Sequence, residues 1–119
     1  MNIHIQFIKN EDQRYDTWGD WQYTPTGDLI ISVSRDIPEL PTEEHQVLVA
    51  LHELIEVLLC RKRGITQQQV DNFDMTHEDC EGEVGDLTGS PYQKEHRFAM
   101  IIEHLMAHEL GIEGYGKVE

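Results

Sequence analysis

The chain has 119 residues, 39% of them hydrophobic, and sets 9 Lys plus Arg against 23 Asp plus Glu for a formal net charge of −14. That length suits one domain, residues 1–119, with its own core and excludes a multidomain enzyme; the charge repels phosphate backbones and anionic lipid, which excludes ordinary nucleic-acid and membrane-surface partners. No purely apolar run exceeds five residues against the ~20 that span a bilayer, no basic-then-apolar leader opens the chain, and Cys60 and Cys80 lack CxxC spacing, so the expectation is a soluble, cytoplasmic protein with reduced thiols.

Ile3, Ile5 and Phe7 alternate with polar neighbours, the period-two signature of a half-buried strand. Gly19 to Thr24, with Trp21 and Tyr23 on one face, leads through Pro25-Thr26-Gly27-Asp28 to Leu29, Ile31 and Val33, a hairpin pattern. Pro38 and Pro41 then interrupt the chain. Thr42 is an N-cap for a helix with Glu43 and Glu44 in its first turn, running to about Arg63 and closed by Gly64. Thr66 and Gln69 form a capping-box pattern for a short element through Phe73. Asp71 to Asp86 carries seven acids and no Lys or Arg and reads as a solvated loop. Ser90, Pro91 and Gln93 signal a last helix over 91–110, stopped by Gly111. The expected fold is α+β: a small N-terminal antiparallel sheet of two or three strands packed with about three helices.

Between Val47 and Leu59 only His52, Glu53 and Glu56 interrupt an otherwise apolar run. A helix apolar on all sides is buried, and a carboxylate buried without partners costs several kcal/mol, so two acids within one turn call for a cation, a proton or a set of donors. His52 and Glu56 are four apart and share a face, with Glu53 rotated by ~100° but adjacent. The last helix offers His96, on the same face as Ala99, Met100 and Glu103. If it packs antiparallel on the first, His52, Glu56 and His96 surround one point, a ligand set that suits Zn²⁺ or another divalent transition metal and leaves a position for water. Glu53 is then placed as general base, and Glu103 as the group that orients a ligating imidazole.

His52-Glu53-Leu54-Ile55-Glu56 on a buried helix, preceded by a strand such as Leu29 to Ser34, resembles the zincin metallopeptidases, and most of all the small zincin-like proteins of phages and prophages. The resemblance covers the motif helix and the strand-before-helix order, about half the chain. It implies His52 as a metal ligand, Glu53 as the base, and a peptide or protein substrate aligned by β-pairing on the preceding strand. Glu56 stands where the family has its second His, so the family-like set of two His and one Glu requires His96.

Other readings of the same residues stay open on sequence alone. The polar trio reads alternatively as a solvated stripe, and His77 is a rival third ligand or a substrate-binding group. Glu53 and Glu56 with Asp71 and Asp74 match a carboxylate cage for Mg²⁺, resembling the all-helical nucleoside triphosphate pyrophosphohydrolases. A third reading is a non-catalytic acidic phage-type protein-binding module with a structural metal. Asp79, Glu81 and Glu83 miss the EF-hand pattern because Val84 stands where that loop needs Gly. His104 and His108 are also four apart but read as solvent-facing, His4 and His45 as surface residues, and Cys60 as a small core residue.

Overall fold

The computed structural model describes residues 1–77 and 83–115. Asp79, Cys80 and Glu81, named above, lie outside the described residues. Strands β1 (Ile3–Ile8), β2 (Gly19–Tyr23) and β3 (Leu29–Ser34) precede helices α1 (Glu43–Lys62), α2 (Gln67–Thr76) and α3 (Gln93–Glu109), with short 3-10 turns at Asn10–Asp12 and Val84–Asp86. The fold is α+β, as the sequence indicated.

The sheet has the order β1-β3-β2 and is mixed, not antiparallel throughout: β2 pairs antiparallel with β3, from Gly19↔Val33 to Tyr23↔Leu29, while β1 pairs parallel with β3, from Ile3↔Leu29 to Ile8↔Ser34. Only β2 and β3 are joined by a tight turn, and only there does the sequence carry an antiparallel signal; parallel neighbours need a longer crossover. After β1 the chain crosses the end of the sheet, held by Arg35 N donating to Ile8 O at 2.8 Å and Ser34 N to Trp18 O at 2.8 Å. It then lays β2 on the far edge before the hairpin returns β3 to the middle. Central β3 is buried on both faces, with Leu29, Ile31 and Val33 in the core. Its polar face is satisfied by the crossing segment, since the Gln13 amide donates to Ser32 O and the Ser34 hydroxyl bonds Asn10.

The β1 alternation is real but its apolar row is not half-buried. Ile3, Ile5 and Phe7 stay exposed because α1 lies over β2 and β3 and leaves this edge outside its footprint.

Helix α1 starts and stops where its sequence signals lie. Thr42 accepts from His45 N at 3.2 Å, Glu43 and Glu44 occupy the positive end and Arg61 and Lys62 the negative end, and Gly64 closes it at φ +74, a conformation that favours glycine. The Thr66/Gln69 capping box is formed and is worth about 1 kcal/mol; α2 continues past Phe73 to Thr76. The expected Ser90/Gln93 start of α3 is not formed. Ser90 Oγ accepts instead from Tyr92 N, the Gln93 amide donates to Asp86 O, and the helix begins two residues later than Pro91 and ends at Glu109. Those side chains tie the preceding turn to the helix, so they are not available as caps.

Helices α1 and α3 pack face to face. His52 reaches Glu103 while Glu56, one turn further on, reaches His96, so the two run antiparallel. No helix among the described residues is long and apolar enough to cross a membrane.

Candidate metal centre

Three side chains converge between α1 and α3. His52 Nε2 lies 3.1 Å from Glu56 Oε2 and 3.2 Å from His96 Nδ1, and His96 Nδ1 lies 3.0 Å from Glu56 Oε2. All three residues are buried and within metal-binding distance of one another. The opposite atoms are spoken for: His52 Nδ1 contacts Glu103 Oε1 at 2.7 Å, and Trp21 Nε1 donates to Glu56 Oε1 at 3.1 Å. Tyr115 donates its hydroxyl to Glu103 Oε2. A carboxylate accepting from Nδ1–H fixes the ring orientation of His52 and turns Nε2 toward the other two residues. His96 Nε2, by contrast, is buried with no hydrogen-bond partner among the described residues; the nearest acid is Glu83 Oε2 at 3.9 Å.

A cavity of about 310 Å³ adjoins the triad, lined by Tyr15, Trp18, Gly19, Glu53, Asp74, Glu83, Gly85 and Tyr92 among others, with no Lys or Arg among the described residues. Glu53 enters it with Oε2 3.9 Å from His52 Nε2. Two glycines bring backbone against the site. A Cβ on Gly19 would stand 2.9 Å from Glu53 Cγ, and one on Gly85 2.7 Å from the His96 ring. Asp74 accepts from Tyr92 at 2.5 Å on one oxygen and from Tyr15 at 3.0 Å on the other.

The electrostatics follow from burial and from who sits beside whom. Burial works to lower the His52 pKa, but hydrogen bonds to Glu103 and Glu56 outweigh it and hold it up at about 11. Burial works to raise Glu56, but the two imidazoles hold it down at about 2. Glu53 is pushed well above the ordinary carboxylate range by burial and then by the Glu56 charge. Burial lifts Asp74 to about 6 against the two tyrosine donors.

Five residues singled out from sequence, His52, Glu53, Glu56, His96 and Glu103, meet at this one place. Exposures of 6%, 8% and 4% for His52, Glu53 and Glu56 rule out the solvated stripe. His77 does not join them: its Nδ1 faces Phe73 O at 2.7 Å and its ring stacks on Phe73 at the end of α2. The four-carboxylate cage is not assembled either, because Arg14 takes Asp71 at 2.9 Å and the tyrosines take Asp74, and a three-stranded sheet does not fit an all-helical relative. The strand Leu29–Ser34 cannot align a peptide by pairing, since both of its edges are occupied. The edge strand beside the cavity is β2, and its outer backbone is partly taken, with Gly19 O by Thr17, Trp21 O by Arg14 and Tyr23 N by Gln67. His45, read as a surface residue, is half-buried against Tyr115, and Cys60 is a core residue. Sequence reasoning missed Tyr15, Trp21, Tyr92, Gly85 and Tyr115; none has a local pattern that announces its contact, although the indole of Trp21 on a strand packed beneath an acidic helix is a donor in search of an acceptor.

Comparison of the chain with protein-family models, with curated protein sequences and with solved structures returns no match.

Proposed function

We propose that the protein is a metal-dependent hydrolase of zincin-like type, in which His52, Glu56 and His96 hold Zn²⁺ or a similar divalent transition metal and Glu53 is the general base. The observation that carries this reading is the triangle of two imidazole nitrogens and one carboxylate oxygen with edges of 3.0 to 3.2 Å. Ligands about 2.0–2.1 Å from a tetrahedral Zn²⁺ stand roughly 3.3 Å apart, so the three atoms need move only a few tenths of an ångström. The partnerless His96 Nε2 fits the same assignment: if Nδ1 ligates, Nε2 carries the proton, and Glu83 is the acceptor within reach.

A bound ion would supply Lewis acidity, polarising a carbonyl and lowering the pKa of a water. The chain's own residues supply the rest. Glu103, steadied by Tyr115, keeps His52 Nε2 turned inward, and Trp21 holds Glu56 through Oε1 so that Oε2 faces the two imidazoles. Glu53, raised by burial, is a stronger base than an exposed carboxylate once ionised and borders the cavity where a substrate carbonyl enters. The acidic lining repels phosphate, which favours a neutral or cationic amide or ester over a nucleotide. The masked outer edge of β2 favours a substrate that presents a side chain or a small amide to the cavity over a long extended peptide.

The test is elemental content and hydrolysis of a panel of peptide and small amide substrates by wild type, His52→Ala and Glu53→Gln. The expected outcome is about one metal ion per wild-type chain, loss of metal in His52→Ala, and metal without turnover in Glu53→Gln. Undiminished turnover in Glu53→Gln refutes the base. A second reading, a metal that only joins α1 to α3, draws on the triad's position between those helices; a chelator that unfolds a protein with no hydrolytic activity on the panel favours it.

A further inference from the structure

Helix α3 turns Glu95, His96, Ala99, Glu103 and Ala107 inward, yet its outer face is not polar. Phe98, Ile101 and Leu105 are 49%, 57% and 61% exposed. At 100° per residue they share an arc of about 80° with Lys94 before them and Glu109 after them. Neither Lys94 nor Glu109 forms an ion pair with a described residue. Outward apolar residues in a row on a soluble helix mark an interaction surface.

We infer that this stripe is a homodimer interface formed by two antiparallel copies of α3 about a two-fold axis. The order along the stripe is Lys94, Phe98, Ile101, Leu105, Glu109, and it is complementary to its own reverse. Reversal about the midpoint of Ile101 and Ile102 sets Phe98 at the height of Leu105 and Lys94 at the height of Glu109. The Lys94–Glu109 ion pair and the Phe98–Leu105 contact therefore each form twice in an isologous contact. A parallel pair would instead oppose Lys94 to Lys94 and Glu109 to Glu109. Charge selects the partner as well. With a net charge of −14, two copies repel each other over most of their surfaces, whereas Lys94 and Glu109 cancel and leave this stripe neutral. The face of α3 that carries His96 and Glu103 points the opposite way, so pairing leaves the cavity open.

Sedimentation equilibrium on the full chain tests this, with circular dichroism and metal content as controls. Wild type is expected to dimerise at tens of micromolar, about the range of a small interface. Leu105→Glu is expected to be monomeric at that concentration, with unchanged helicity and metal content. Lys94→Glu and Glu109→Lys each turn two attractive pairs repulsive and are expected to raise the dimer dissociation constant by roughly tenfold. The double variant Lys94→Glu/Glu109→Lys restores the attraction and is expected to return within about threefold of wild type. A wild-type chain still monomeric near 1 mM overturns the inference, as does a dimer that survives Leu105→Glu or a double variant no better than its parents.

Discussion

Metal binding at this site is expected to be steeply pH-dependent, because a metal must displace a proton that the protein holds tightly. His52 lies between Glu103 at 2.7 Å and Glu56 at 3.1 Å, and those carboxylates outweigh burial to keep its pKa at about 11. Ligation requires the Nε2 lone pair, so binding expels that proton throughout the physiological range. From about 11 down to pH 7 is roughly four units, or about 5 kcal/mol of the intrinsic metal affinity offset by protonation. Glu56, held down at about 2, contributes no proton above pH 4. Competition titrations of Zn²⁺ against a chromophoric chelator at pH 6, 7 and 8 should give a Kd falling at least about tenfold per pH unit. Calorimetry in two buffers of different ionisation enthalpy should register at least one proton released per ion. For metal-free stability the signs are opposite for the two groups. The His52 contribution is fully present below its unfolded value of ~6.5 and is lost as pH rises through about 11, whereas that of Glu56 is present above ~4.5 and is lost as pH falls through about 2. A flat affinity profile with no proton released would refute His52 as a ligand, and with it the triad.

Three further outcomes follow from the same geometry. Glu103→Ala removes the carboxylate that fixes His52 and is expected to weaken metal affinity by about 10–100-fold, measured by the same competition assay. Gly85→Ala puts a Cβ 2.7 Å from the His96 ring, so the ring must swing; metal affinity should fall at least about tenfold while far-ultraviolet circular dichroism stays near wild type. Tyr92→Phe deletes the donor to Asp74 Oδ1, a hydrogen bond to a charged group worth about 1.5–3 kcal/mol. Because Asp74 titrates at about 6, urea melts should show the larger loss at pH 8, where it is ionised, and the smaller at pH 5.

What was legible in the sequence was what depends on local spacing. The i, i+4 relation of His52 and Glu56 and the polar interruption of an apolar helix located one half of the site. The tally of apolar positions on the last helix brought His96 and Glu103 to the correct face. The Thr42 and Thr66 caps gave two helix starts to the residue. What failed depended on long-range placement. The parallel pairing of β1 is decided by a crossover that no turn residue signals, and the exposure of Ile3, Ile5 and Phe7 by where α1 happens to end its footprint. His77 and His96 are both histidines near acids, one just past the end of α2 and one within α3, and only the direction of α2, which spends His77 on Phe73, separates them. Tyr15 and Tyr92 lie far apart in the chain and meet only at Asp74.

Whether a cation belongs here is best decided by the distribution of buried charge. Among the described residues six acids are buried: Asp20, Glu53, Glu56, Asp74, Glu95 and Glu103. Arg14 answers Asp20 at 2.8 Å and Arg63 answers Glu95 at 2.8 Å, the arrangement expected when a charge is buried for structure alone. The other four all border the same cavity, whose lining among the described residues holds no Lys or Arg, and their partners are tyrosines, an indole and imidazoles. Neutral donors stabilise a carboxylate without cancelling its charge, so four such groups around one space leave a negative field that only protons or a divalent ion can offset. A proton on His52 neutralises one of them; burial pushes Glu53 toward its protonated form and draws Asp74 part of the way. A divalent ion on the triad would take over the task of the His52 proton and lower Glu53 back toward ionisation, the state that the proposed general base requires. On the proposed reading, occupancy of the triad and the readiness of Glu53 would be one coupled equilibrium, whereas a structural metal shut away from the cavity would have no such hold on Glu53.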